Sequence, residues 1–430
     1  MPTLTLPESL PVCSSNQFAG DAATGWRVYS LPSPSAATVA TPAPSAVQAR
    51  LVAAWRSLLD RSEGGSLELH PEIALGTAEA SPRTYELAAS ESLTGAWQRL
   101  ALFEEKAIRL PLFAGRKRFP ALNGVRLAGE LTAHKDELGR PHPADDSHHS
   151  DAASLLQAFA QLLDNPTAVR DAILIEDLET HSSLWQALAS QTQFAVLPLA
   201  DPQPRWRLRL ADSSAAYWSQ FSSKRRYNFR RMQRLLTHEC EAIERVEQVE
   251  QFLGEAETIS LRSWQGRRLG VRVRRDDRTK RYFQRLAQAG CLRSYLLRSA
   301  GAPAAFAVGT QWRGRFQLEE IGFDPQFADL SPGAVLLLDL LEDLHNRRRP
   351  EVLDFGFGDG AYKQQFGNEQ TASGSLLVVS RRRRPRTIAA LYSCSQRLEQ
   401  FARGALHGCG LQPWARRLHR RLGGGASVRS

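Results

Sequence analysis

Residues 292–323 hold three short β-prone runs separated by Ser299-Ala300-Gly301 and Arg313-Gly314, turn sequences spaced so tightly that the runs must fold as an antiparallel meander. Ser331-Pro332-Gly333 then starts an apolar helix over 332–347, followed by a strand (352–357), a short helix (361–366) and a last strand (375–380). A strand over 241–246 and helices over 248–264 and 279–289 lead into the meander. The resulting order, β-α-α-β-β-β-α-β-α-β, is that of an α/β domain built on a mixed central sheet.

At 430 residues, the chain is longer than one hydrophobic core usually serves, so two domains with extensions are expected. The division expected is an N-terminal extension and connector (1–48), a first α/β domain (49–204), a second (205–380) and an Arg-rich helical tail (381–430). Five scattered cysteines without a Cys-x-x-Cys pair fit a reducing cytoplasm and no metal or redox couple. No basic cluster followed by an apolar core opens the chain, and the most apolar helical stretch is soon broken by Asp339 and Glu342-Asp343, so neither a signal peptide nor a membrane span is expected.

The net charge of +10 is unevenly placed. Residues 381–430 carry twelve arginines against the single acid Glu399, or +11, which leaves the other 380 residues at −1. Such a tail suits phosphate-rich nucleic acid, an anionic membrane surface or an acidic partner such as a synthase complex, or remains a solvated extension. A cytoplasmic protein, peripheral at the inner membrane, is the corresponding expectation. Within 387–406, Ile388, Leu391, Tyr392, Leu398 and Phe401 fall near one side of a helix and are expected to dock on the body, with the arginines of 415–422 left free.

The first half offers pattern without chemistry. Residues 31–46, with Pro32, Pro34, Pro42 and Pro44, read as a connector; 47–59, 152–163 and 183–191 read as helices, and 172–176 and 194–199 as strands. His134, His142, His148 and His149 cluster beside Asp145, Asp146 and Asp151, but without the regular spacing of a ligand set, so a surface loop is expected and no metal. Further on, 217–239 reads as one helix whose middle, Ser223 to Arg231, interleaves basic and aromatic residues; Lys224 and Arg225 would face an acidic substrate or simply solvent.

At the start of the apolar helix, Ser331 is a good N-cap residue, Pro332 loses nothing by lacking an N–H, and Gly333 admits close backbone approach. The first-turn amides from Gly333 through Ala334 to Val335 would suit a pyrophosphate.

These features, with Gly322-Phe323-Asp324-Pro325 and the run Asp354-Phe355-Gly356-Phe357-Gly358-Asp359-Gly360-Ala361-Tyr362-Lys363-Gln364-Gln365-Phe366-Gly367, resemble the acetyltransferase domain of the CelD/BcsL cellulose-biosynthesis proteins. That family is a branch of the GNAT superfamily related to the FemAB aminoacyltransferases. The resemblance implies two tandem GNAT-like domains, the first degenerate, and direct transfer from acetyl-CoA or another acyl-CoA to an amino sugar or other envelope or exopolysaccharide precursor. A Lys/Arg-rich helix begins that family's domain too. The usual GNAT Gln/Arg-x-x-Gly-x-Gly/Ala loop is absent, with 326–334 in its place, which leaves open a FemAB-like donor, aminoacyl-tRNA. No other nucleic acid partner is expected.

Transfer from a thioester needs alignment, a proton acceptor and support for the oxyanion and departing thiolate. Glu319 and Glu320 on the preceding strand are the base candidates, and alternation along a strand puts one of them in the cleft. The resemblance gives Tyr362 the role of protonating the thiolate. Lys363 would hold phosphate or balance Asp359, while Asp354 and Asp359 would meet the acceptor or, with Tyr362 and Lys363, form a polar network that fixes the glycine-rich turn. A third reading is a non-catalytic protein that keeps the fold and docks through its tail.

Overall fold

The computed structural model describes residues 26–31, 46–63, 65–80, 85–91, 96–112, 117–133, 147–166, 168–263 and 273–408. The connector at 32–45, most of the histidine-rich segment and the arginines beyond 408 lie outside them, and of His148, His149 and Asp151 only the helical backbone is described. The chain forms two compact units from interleaved segments rather than from the successive stretches 49–204 and 205–380. One comprises 1–104, 128–145 and 204–371, the other 105–127, 146–203 and 372–430.

In the larger unit, six strands lie in the order Gln203–Arg209, Val352–Phe357, Arg315–Phe323, Ala302–Trp312, Ser294–Ser299 and His238–Ile243. Every neighbouring pair is antiparallel except Arg315–Phe323 with Val352–Phe357. The meander is present, and its turns explain why those sequences make it. Ala300 and Gly301 in the first, and Arg313 and Gly314 in the second, all have positive φ, the conformation that matches a two-residue hairpin to the twist of its strands.

Alternation along Ala302–Trp312 divides the core in two. Ala305 and Ala307 face Phe316, Leu318 and the helix Pro332–Asn346; Phe306 and Val308 face Phe252 and Phe283 of the helices Val246–Arg262 and Asp277–Gln288. Helix Pro332–Asn346 buries Leu336, Leu337 and Leu338 in succession, so it is enclosed by protein on most sides. Its far end is capped by Arg293, a fully buried arginine whose guanidinium donates to the carbonyls of Asp343 (3.0 Å), Arg347 (2.8 Å) and Arg348 (3.2 Å) and to the Asp343 carboxylate (2.7 Å).

The single helix expected over 217–239 is two, Ser214–Ser219 and Ser223–Leu235. Ser222 is extended between them and its Oγ accepts the Arg225 N–H (3.3 Å), which starts the second helix anew while Phe221 turns into the core. The first part of the same unit packs Trp55, Leu58, Leu87 and Leu102 beneath the antiparallel pair Trp26–Leu31 and Tyr85–Glu91.

The smaller unit centres on Ala172–Glu179, parallel to residues 124–127 on one side and antiparallel to Glu369–Val379 on the other. The C-terminal helix Arg383–Gly408 closes its core with Ile388, Ala389 and Tyr392, the last donating its hydroxyl to the Leu199 carbonyl (2.8 Å). Here the expected docking face is corrected: Leu391, Leu398 and Phe401 point outward. The reason is a turn of the helix set by its base, where Arg381, Arg382 and Arg384 donate to the carbonyls of Gln193, Arg170 and Ala121, and Arg384 pairs with Asp171. Part of the tail's charge is therefore spent on attachment.

Gly309 has no room for a side chain: a Cβ would lie 2.3 Å from the Phe316 ring and 2.6 Å from the Arg293 carbonyl. Gly309→Ala should lower stability by about 1–3 kcal/mol, read as a lower denaturant midpoint at unchanged slope.

Candidate functional site

Asp354 is fully buried on the strand Val352–Phe357, and two arginines missed in the sequence meet it there. Arg205 and Arg207, two apart on Gln203–Arg209 and so on one face, approach it with Arg205 Nη2 at 2.7 Å and Arg207 Nε at 3.3 Å, while the Gly356 N–H donates to Oδ1 (2.9 Å). Burial by itself would raise the Asp354 carboxyl, but Arg205, the Gly356 amide and Arg207 outweigh it and hold it below the ordinary range. With both oxygens so occupied, Asp354 organises the turn and is not presented to an acceptor. The signal for its partners was present: in Gln203–Arg209 the alternation Arg205-Trp206-Arg207 puts two arginines on one face of a strand, and arginines buried there need an acid.

Beyond this anchor, the two parallel strands part. Their register runs Arg315↔Val352, Phe316↔Leu353 and Gln317↔Asp354 and then stops, with Gly356 at φ +68 turning the second strand away. On the other edge of Arg315–Phe323, the register shifts between Val308↔Glu320 and Gly309↔Leu318, so Glu319 is the extra residue of a β-bulge. The bulge cancels the expected alternation. Glu320 pairs with Val308, and Glu319 accepts from the hydroxyl of Thr310, two residues along the same face (3.4 Å). Both carboxylates thus stand on the face of Val246–Arg262 and Asp277–Gln288, opposite Pro332–Asn346. Glu319 is exposed at its surface, yet the protein packed around its carboxyl displaces water, and this desolvation, helped by Glu68 and Glu320 against the Thr310 hydroxyl, pushes it up to about 7.

At the head of Pro332–Asn346, Ser331 is left-handed (φ 52) and caps with its backbone, not its side chain. Its carbonyl accepts from both Ala334 (3.0 Å) and Val335 (3.1 Å), so those two amides are committed. Gly333 alone of the three has no hydrogen-bond partner for its N–H among the described residues. A Cβ there would come no closer than 3.4 Å to the half-exposed Phe323 ring. The preceding Asp324 is buried and held by Arg262 (2.8 Å), and its Oδ1 accepts the Gln326 N–H (3.0 Å), which sets the turn between strand and helix.

Tyr362, on the short helix Ala361–Phe366, packs edge-on to Phe355 (6.0 Å between ring centres) and, with Ile321 and Leu330, against the core that contains Val335. Burial pushes its phenol up to about 12, so it stays protonated at neutral pH; its hydroxyl meets no partner among the described residues. Lys363 is turned inward: its ammonium donates to the carbonyls of Gly356 (3.3 Å) and Phe357, and burial lowers it against the pull of Asp354. It holds the glycine turn instead of offering itself to phosphate. Asp359 accepts from Trp206 Nε1 (3.3 Å) and from Gln364 and stays at the surface.

Lys224 and Arg225 are both exposed, Arg225 lying over the Phe221 ring (5.9 Å). The neighbouring face of Ser223–Leu235 lines a recess of about 800 Å³ with Arg226, Tyr227, Arg230, Gln233 and Arg234. None of these arginines has a carboxylate partner among the described residues, and successive like charges at i, i+4 weaken a helix unless an anion offsets them.

Comparison with known proteins places this geometry. Residues 223–364 match the acetyltransferase (GNAT) domain family. No curated protein sequence matches the chain. Among solved structures, FemX superposes on 76% of this chain and 95% of its own at TM-score 0.53 and 13% identity, a shared fold that extends well past the GNAT match. A tandem GNAT protein from the clavulanic acid biosynthesis pathway covers 82% of this chain and 98% of its own (TM-score 0.44, 11% identity). The C-terminal domain of a putative lysylphosphatidylglycerol synthetase from Agrobacterium fabrum covers 80% and 95% (TM-score 0.46, 12% identity). The α/β fold with mixed sheets is GNAT-type, and the parting strands, the bulge and the helix start all lie in or beside the GNAT match.

Asp354→Asn would leave two buried guanidinium groups short of their counter-charge, at a cost of about 3–5 kcal/mol. Because the Asp354 carboxyl is depressed in the folded state, its contribution is complete above the ordinary carboxylate range and lost as pH falls through the folded value. The variant's stability should therefore vary less with pH on the acid side, in denaturant titrations run from neutral pH downward.

Proposed function

We propose that the chain transfers an acyl group, acetyl in the simplest case, from coenzyme A to an amine on an amino sugar or related envelope or exopolysaccharide precursor, in a ternary complex without a covalent enzyme intermediate. One observation carries this reading: the parallel strands stop pairing at Gln317↔Asp354, on the same strand as a bulge that turns Glu319 and Glu320 to one face of the sheet. In this reading the parted strands would let a base on the face that bears Glu319 and Glu320 serve a donor held at the head of Pro332–Asn346. Crevices of this kind, outside the carboxyl ends of adjacent parallel strands, are where open α/β sheets bind ligands.

The Gly333 N–H and the positive end of Pro332–Asn346 would receive a phosphate oxygen of coenzyme A, whose thioester supplies the activated acyl group. Glu319 takes the proton from the attacking amine, its carboxyl raised chiefly by the protein around it. Tyr362, protonated and with no hydrogen-bond partner for its hydroxyl among the described residues, gives its proton to the departing thiolate. Lys363, Asp354, Arg205 and Arg207 keep the turn between Gly356 and Gly358 in place. The recess along Arg226, Arg230 and Arg234 suits an anionic acceptor, and it equally favours the second reading, a FemAB-like transfer from aminoacyl-tRNA.

Calorimetry separates the two. Gly333→Val, which the open contact at Cβ lets fold, should weaken coenzyme A binding; equal affinity would remove the donor from this helix, and retention of tRNA without coenzyme A binding would favour the second reading. Tyr362→Phe should keep the fold and slow turnover roughly ten- to a thousandfold. The rate profile should rise with pH to a plateau through an apparent value of about 7, set by Glu319. In Glu319→Gln that rising limb should disappear with a loss of roughly 10²–10⁴ in rate; an unchanged limb assigns the titration to another group.

A further inference from the structure

The C-terminal helix has two apolar sides, and only one is used. Ile388, Ala389 and Tyr392 fill the core of the smaller unit, whereas Leu391, Cys394, Leu398 and Phe401 recur at intervals of three and four on the opposite side. The three large ones are 53%, 61% and 76% exposed, and Phe401 is the most exposed of the large apolar residues described. Arg383, Arg386 and Arg397 run along one flank of this stripe, all exposed and without a carboxylate partner among the described residues. They differ in this from Arg381, Arg382 and Arg384, which are engaged in attaching the helix.

We infer that the stripe Leu391–Cys394–Leu398–Phe401 is an interfacial membrane-binding face, laid on a lipid surface rich in anionic headgroups. Charge complementarity selects this occupant. An apolar ridge rimmed by unpaired guanidinium groups matches the boundary between acyl chains and phosphates, where the ridge enters and the arginines reach the headgroups. The sequence continues in the same sense, with Arg416, Arg417, Arg420, Arg421 and Arg429 and no acid after Gly408. A second copy of the chain would have to bring two such arginine rows together. No described helix is long and apolar enough to cross a membrane, so the attachment is to the surface. The inference does not depend on the chemistry of the acyl-transfer site.

Sedimentation of the full chain with vesicles of phosphatidylcholine containing phosphatidylglycerol, and with phosphatidylcholine alone, tests it. The wild type should partition at least tenfold more strongly onto the anionic vesicles at low salt, and the preference should shrink as salt shortens the Debye length to about 10 Å and below. Leu391→Ser, Leu398→Ser and Phe401→Ser combined should reduce that partitioning at least tenfold while the circular dichroism and thermal midpoint hold, since none of the three packs on the core. Arg383→Gln, Arg386→Gln and Arg397→Gln combined should weaken the anionic preference, since the arginines after Gly408 remain, and should keep any weak binding to neutral lipid. The inference fails if the wild type does not bind the anionic vesicles, or if the serine variant binds them as well as the wild type does. It fails too if sedimentation velocity without lipid shows a dimer that the serine variant abolishes, for then a second copy covers the face.

Discussion

The site depends on one buried cluster of charge. Asp354 between Arg205 and Arg207 fastens the strand Val352–Phe357 to Gln203–Arg209 at the residue where it leaves Arg315–Phe323. Ordinarily a parallel pair continues until one strand ends, because each unmade ladder bond leaves a polar group to be solvated. Here the strand's next residues bend away at Gly356, whose amide is satisfied by Asp354 and whose carbonyl is satisfied by Lys363. The ion cluster thus replaces the ladder, and the gap it opens has satisfied walls. A buried ion group is an expensive way to gain stability, and its retention here is better understood as fixing geometry.

Two smaller devices set what faces the gap. The bulge at Glu319 gathers two carboxylates on one side of the sheet, where the surrounding protein first, and Glu68 and Glu320 after it, push the Glu319 carboxyl upward. Arg293 holds the far end of Pro332–Asn346 by three carbonyls, so the helix start at Ser331 is aimed by contacts made about four turns of chain away from it, at about 5.4 Å per turn. Both decide what a molecule in the gap would meet.

The meander and the helix start were legible in the sequence because turn chemistry and apolar period are local: Arg313-Gly314 and Ser331-Pro332-Gly333 act through their immediate neighbours. Strand Tyr85–Glu91 was not, since its Tyr-Glu-Leu-Ala-Ala-Ser-Glu composition has no β-branched residue and becomes a strand only through its partners. The same limit governed the site. Glu319 and Tyr362 are candidates by their places along the chain, but the burial of Asp354 depends on Arg205 and Arg207, 147 residues or more away in sequence. Alternation, applied to Glu319 and Glu320, failed for a physical reason: one inserted residue resets the phase of a strand, and only the register of its neighbour reveals it. For the C-terminal helix, periodicity found the apolar residues and could not choose between two sides that are both apolar.

The interleaving of the two units has a consequence for how the chain is made. Ile173 and Val378 are neighbours across the ladder of the smaller unit, and the whole of residues 204–371 is synthesised between them. On a ribosome, the strand Ala172–Glu179 emerges early and must wait, with one edge unpaired, until Glu369–Val379 follows. Sequence-distant pairing of this kind slows folding and leaves an apolar edge open to other chains in the meantime. The larger unit's piece from 204 to 371, with its hairpins and neighbouring helices, can take shape during that interval, so its folding should come before closure of the smaller unit.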